Sequence, residues 1–130
     1  MRAGDIEKFC LSLPGATVVE QWGGCHVFKV GGKMFAILGP KGEHVLQGLS
    51  LKVAENSFHI LVREKNIIPA PYLARAKWVS LQRLDALGTK DLKAYLSRAH
   101  AIIASGLSKK KRAALGLLGA ELSEPLRVSL

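Results

Sequence analysis

The sequence predicts an α+β domain: an antiparallel sheet of about five strands with helices packed on one face, in the order α-ββββ-α-β-α-α. Three observations predict it. Apolar residues recur at helical spacing near both ends of the chain. Between them, from Thr17 to Lys52, the period changes to two. The strands of that stretch are joined by short turns, which force neighbours to run antiparallel and exclude a βαβ unit. With 130 residues, 48% of them hydrophobic, the chain makes one domain with a sizeable core, and wholesale disorder is excluded.

Ile6, Phe9, Cys10 and Leu13 form one stripe of a helix over residues 3–13, ended by Pro14-Gly15. Cys10 lies on that stripe and reads as core rather than as a reactive thiol. Thr17 to Trp22 is β-rich, and Gly23-Gly24 turns the chain into a strand from Cys25 to Val30. Gly31-Gly32 is a two-residue hairpin signal, and Lys33 to Leu38 is the return strand. Gly39 to Gly42 turns again, and Val45 to Lys52 is the fourth strand. Residues 54–65 read as a helix with Phe58, Leu61 and Val62 on one face. Pro69 and Pro71 make residues 67–72 an extended approach to a fifth strand over 76–81. Thr89 is the expected N-cap of a helix over 89–105, with Leu92, Tyr95, Leu96, Ala99, Ile102 and Ile103 as its stripe. Gly106 ends it, and Ser108 caps a short basic helix from Lys109 to Leu115. A single domain is expected over residues 1–115, with 116–130 a loose tail.

Charge is the most informative property. Nineteen Lys and Arg against ten Asp and Glu give a net +9. Residues 63–112 hold twelve basic and three acidic side chains, while the rest of the chain holds seven of each. Such a segregated excess on a small domain points to a polyanionic partner. If 76–81 is a strand, Arg75 and Lys77 share one face and Trp78 anchors the apolar side. Arg83 follows the strand, and Lys109, Lys110, Lys111 and Arg112 form a run of four cations held on a capped helix. Lys33 stands beside the Gly31-Gly32 turn. These eight residues are the candidate phosphate contacts.

Catalytic patterns are absent by spacing. Cys25 and His26 are neighbours on a strand and point to opposite faces, which argues against a nucleophile–base dyad. Glu55 and His59, four apart, read as a surface contact rather than a metal site, and no pair of carboxylates is nominated as acid and base. The glycine pairs are hairpin turns, since GxxxxGK[ST] is missing and none opens a helix after a strand. Two cysteines make neither a disulfide framework nor a zinc site. No apolar run reaches the length of a membrane span, and the N-terminus lacks a signal-peptide pattern. The expectation is a cytoplasmic protein, monomeric, without cofactor or metal.

Three blocks carry a family resemblance: Phe9-Cys10-Leu11-Ser12-Leu13-Pro14-Gly15-Ala16; Phe28-Lys29-Val30-Gly31-Gly32-Lys33-Met34-Phe35-Ala36; and residues 67–79, from Ile67-Ile68-Pro69-Ala70-Pro71-Tyr72 through Arg75-Ala76-Lys77-Trp78-Val79. With the basic run at Lys109 to Arg112, the chain over residues 3–115 resembles the MmcQ/YjbR family. The resemblance implies a compact α+β domain related in shape to the CyaY/frataxin fold. It also implies a DNA-binding protein with a double-wing arrangement, and it supplies no catalytic residues. Two departures stand out. Ser108 occupies a place where proline is common, and Gln21-Trp22-Gly23-Gly24 differs from the expected link between the first two strands. A frataxin-like iron role would need an acidic ridge, but the first helix carries only Asp5 and Glu7, beside Arg2 and Lys8.

The reading is therefore a non-catalytic protein that binds nucleic acid, double-stranded DNA in particular, through phosphate contacts. The alternative is a small-ligand or protein-interaction module with no nucleic-acid role, with Pro69-Ala70-Pro71-Tyr72 as its groove.

Overall fold

The computed structural model describes residues 1–40 and 48–117. Helix α1 (Ala3–Ser12) buries Ile6 and Cys10. Asp5 closes its first turn by accepting the Arg2 amide at 3.0 Å. Six strands follow: β1 (Ala16–Gln21), β2 (Cys25–Val30), β3 (Lys33–Leu38), β4 (Leu49–Lys52), β5 (Ile67–Pro69) and β6 (Trp78–Leu81). They form one sheet in the order β1-β2-β3-β4-β6-β5, with every neighbouring pair antiparallel. Helix α2 (Glu55–Leu61) links β4 to β5, and α3 (Thr89–Ser105) and α4 (Lys109–Ala114) follow β6. The α+β class and the helices on one face agree with the expectation.

Several details differ. The sheet gains a strand because Ile67–Pro69 pairs with β6 instead of running alongside it. A proline is tolerated there since β5 is an edge strand and needs no donor on its open side. The strand expected over 76–81 begins at Trp78. Ahead of it, Ala74–Ala76 is a 3₁₀ turn and Lys77 is left-handed at φ 62°. Thr89 is the first residue of α3 rather than its N-cap, because Gly88 supplies the extended cap conformation. Of the fourth strand expected over 45–52, Leu49–Lys52 is a strand and residues 45–47 lie outside the described residues.

The expected tail begins ordered. Gly116 and Leu117 donate to the carbonyls of Ala113 and Arg112, at 3.1 and 2.7 Å, ending α4 in a Schellman-type turn. Leu117 is fully buried, so folded structure continues two residues past the expected boundary. Residues 118–130 lie outside the described residues.

The main core lies between the sheet and the helices. Phe28, Leu51, Val79 and Leu81 meet Ile6 and Cys10 of α1, Phe58 of α2, and Leu92, Leu96 and Ala99 of α3. The β2–β3 register sharpens this packing: Phe28 pairs with Ala36 and Lys29 with Met34, which leaves Phe35 as an extra, bulged residue. The bulge lets Phe35 join Ala36 on the helix side. There Phe35 meets the His100 ring edge-on at 5.4 Å. Nε2 of His100 donates to the Pro14 carbonyl at 2.6 Å, tying α3 to the end of α1. A second, smaller cluster on the opposite face holds Cys25, Val27, Ile37, Ala70 and Trp78. Trp78 is thus a core residue, as its alternation implied.

Register also defines two ends of the sheet. Ala16, Val30, Lys33, Lys52 and Trp78 mark one end, and Gln21, Cys25, Leu38, Leu49 and Leu81 mark the other. Helices α1 and α3 both run from the second end to the first. Ala3 shares a cleft with Glu20, Gly24, Leu38 and Gly39, whereas Leu107, just past α3, packs on Gly31 at the β2–β3 turn.

Candidate nucleic-acid interface

The candidate cations can now be placed. Lys33 is exposed at the base of the β2–β3 hairpin tip. That tip is seated under the α3–α4 corner: Gly31 has φ +59°, and a Cβ there would come within 2.5 Å of Leu107 Cδ1. A Cβ on Gly15, before β1, would meet Leu117 and Leu115 at ordinary contact distance, 3.6 and 3.7 Å. Helix α4 is therefore docked on this end of the sheet, and Lys109, Lys110 and Lys111 are exposed on it while Arg112 is half-buried. Ser108 caps the helix, its Oγ accepting the Lys111 amide at 3.1 Å, as its sequence position implied.

Arg75 and Lys77 reach the same end by another route than the one expected. They do not share a strand face, because the chain there is a 3₁₀ turn followed by a left-handed residue. The Lys77 carbonyl accepts the Val53 amide, which pins the turn to the end of β4. Its ammonium lies 5.2 Å from the centre of the Phe58 ring. Beside it, the Lys52 ammonium donates to the Ala76 carbonyl. Burial and, after it, the charge of Lys77 push the Lys52 ammonium below its ordinary range.

Arg83 is the exception. It follows β6 at the opposite end and is held by Asp85 through two hydrogen bonds of 2.9 and 3.1 Å. It contributes no charge to the cluster at the hairpin end.

Two residues missed by composition belong to the cluster. Lys52 ends β4, and Lys29 lies one residue before the end of β2. Among the described residues, this end collects Lys29, Lys33, Lys52, Arg75, Lys77 and the four cations of α4, against one carboxylate, Glu55. The other acids of the described residues lie elsewhere. Asp5, Glu20 and Asp85 are at the far end, Glu7 joins His26 next to it, and Glu64 and Asp91 line one groove between α2 and α3. The cluster is thus assembled from several segments: strand register brings Lys29, Lys33 and Lys52 to the turn at Arg75 and Lys77 and to the run on α4.

The other candidate chemistry is quiet. His26 lies between two carboxylates, with Nδ1 2.5 Å from Glu7 and Nε2 3.7 Å from Glu20. Each nitrogen faces a different acid, so the groups do not converge on one point, and among the described residues no cluster of His, Cys, Asp and Glu could hold a metal ion. Cys25 points to the other face from His26, which disposes of the dyad. After Pro69 the chain turns: Leu73 donates to the Ala70 carbonyl at 3.1 Å, and Tyr72 projects from the turn, fully exposed.

No curated protein matches the sequence. A family model, YjbR, matches residues 11–102. The matched span includes the whole sheet and most of α3 and stops before α4, so the lysine run lies outside it. With well over half of the chain matched, the protein belongs to the MmcQ/YjbR family.

Proposed function

We propose that the protein is a non-catalytic nucleic-acid-binding module that takes the backbone of double-stranded DNA at the basic end of its sheet. One observation carries this reading: nine cations against a single carboxylate, gathered on one end of the described residues from five separate segments of chain. Fixed cations favour phosphate binding because little side-chain and loop ordering remains to be done on association. The β2–β3 hairpin acts as a wing that presents Lys33, and α4 presents Lys109, Lys110, Lys111 and Arg112 beside it. Contacts of this kind position a protein on a duplex without reading its sequence.

The test is a titration of labelled duplexes of unrelated sequence across a range of salt. If about four phosphates are neutralised, log affinity falls against log salt with a slope of roughly −3.6. Replacing Lys109, Lys110, Lys111 and Arg112 with serine weakens all duplexes alike and flattens the slope. Arg83→Ser leaves both affinity and slope unchanged, because its charge is already paired with Asp85 at the other end. Absence of binding at low salt, or a slope indifferent to the quadruple change, would show the basic end to be ordinary solvated surface.

A further inference from the structure

Tyr72 is the most exposed large hydrophobic side chain among the described residues, with a relative accessibility of 102%. It sits in the turn Ala70-Pro71-Tyr72-Leu73, closed by the Leu73 amide on the Ala70 carbonyl. Proline second and a positive φ third define a turn whose third place suits glycine. Here that place is held by tyrosine at φ 65°. A bulky residue in the left-handed region is strained, and such strain persists where the surroundings enforce it. They do so here: Ala70 is buried, and Leu73 packs against the cluster around Trp78. The Leu73 carbonyl accepts the Trp78 amide, and the Ala70 amide donates to the Trp78 carbonyl. The turn is a rigid mount, and its ring is held out in solvent. Arg75 follows three residues later and Lys77 five, both at the basic end.

An exposed aromatic ring at the same end of the sheet as a set of cations can receive an unpaired base while its phosphates meet the charges. A paired base offers no free face to such a ring. We infer that the basic end takes an unpaired nucleotide, with its base stacked on Tyr72 and its phosphates on cations of that end, Arg75 the nearest in sequence. The preferred nucleic acid is then a single strand, or a duplex with a gap or frayed end. This rests on the proposed backbone binding and adds a preference that charge alone does not supply. A single strand carries a lower charge density, so phosphate contacts by themselves favour the intact duplex.

The experiment compares a labelled duplex, the same duplex carrying a short single-stranded gap, and a single-stranded oligonucleotide of equal length. The protein is tested as it stands and as Tyr72→Phe and Tyr72→Gly. Glycine adopts the left-handed conformation freely, so Tyr72→Gly keeps the turn, and an undiminished thermal midpoint confirms that the fold is intact. The expected result is a preference for the gapped and single-stranded probes that Tyr72→Phe retains. Tyr72→Gly loses it by roughly five- to a hundredfold, the range of base–aromatic stacking, with affinity for the intact duplex unchanged. Equal affinity of the native protein and Tyr72→Gly for the gapped probe overturns the stacking role while salt-dependent backbone binding stands. An equal loss on all three probes also overturns it, since the ring then only shapes the turn. Failure of the native protein to bind any probe overturns both this inference and the proposed function.

Discussion

Gly31 is the point at which the wing is fastened to the helices, and replacing it with alanine separates two physical effects. The residue is left-handed at φ +59°, where a side chain costs about 1–2 kcal/mol. The added Cβ would also stand 2.5 Å from Leu107 Cδ1 and 3.0 Å from Cδ2. Leu107 is only 5% exposed, so it moves at the expense of its own packing, an overpacking cost of about 1–3 kcal/mol. Gly31→Ala should therefore destabilise the fold by about 2–5 kcal/mol in all. Leu107→Ala alone costs about 2–5 kcal/mol by leaving a cavity. In the double variant the new methyl group enters that cavity and the overpacking disappears, while the backbone cost remains. Urea denaturation of the four proteins, fitted with a common slope, gives the coupling directly. The expected coupling is favourable by about 1–3 kcal/mol, the size of the relieved overpacking. Strictly additive losses would refute the claim that the hairpin tip is seated on Leu107.

Two further predictions concern buried titratable groups. Burial lowers the His100 pKa below its ordinary 6.5, because the charged ring is disfavoured there. As pH falls, the unfolded chain takes up this proton first, so the stability from neutral His100 is complete above about 6.5 and is lost below it. His100→Gln can still donate to the Pro14 carbonyl but cannot titrate, so its stability should fall less between about pH 7.5 and about pH 5.5. Parallel stability–pH curves for the two proteins would contradict the assignment. Burial, with Glu7 adding to it, pushes the Cys10 thiol up to about 12, and burial raises Cys25 as well. A thiol reagent at mildly alkaline pH should find no reactive thiol in the folded protein and two free thiols in denaturant. Rapid labelling of the native protein would place a cysteine at the surface instead.

How far the sequence could be read depends on how local each signal was. The bounds of β2 and β3 were legible, since Gly31-Gly32 and the alternation on either side are local properties. Strand β5 was not, because three residues ending in proline carry no period, and it becomes a strand only by finding β6. The Phe35 bulge is likewise a matter of pairing and leaves no mark in the order of residue types. His100 lies four residues beyond Leu96 on the buried side of α3, so its position was within reach, but a polar residue is not counted in an apolar stripe. The cluster of cations follows the same rule. The run at Lys109 to Arg112 is visible in one dimension. Lys29 and Lys52 join it only through strand register, and Arg83 leaves it because β6 carries the chain to the other end.

The shared direction of α1 and α3 bears on how so many like charges are tolerated at one end. An α-helix carries a partial negative charge at its C-terminus, and both helices finish at the basic end. Each such terminus near a cation is worth about 0.3–1 kcal/mol when exposed, and it fades within a turn. The C-termini of α1 and α3 thus bring negative potential to this end, while α4 begins there and sets its own positive N-terminus beside Lys109 to Lys111. A carboxylate on a flexible side chain would swing onto the lysines and have to be displaced by an incoming phosphate. A helix terminus cannot move to compete in that way. Under the proposed function, backbone potential of this kind is no competitor that an incoming phosphate has to displace.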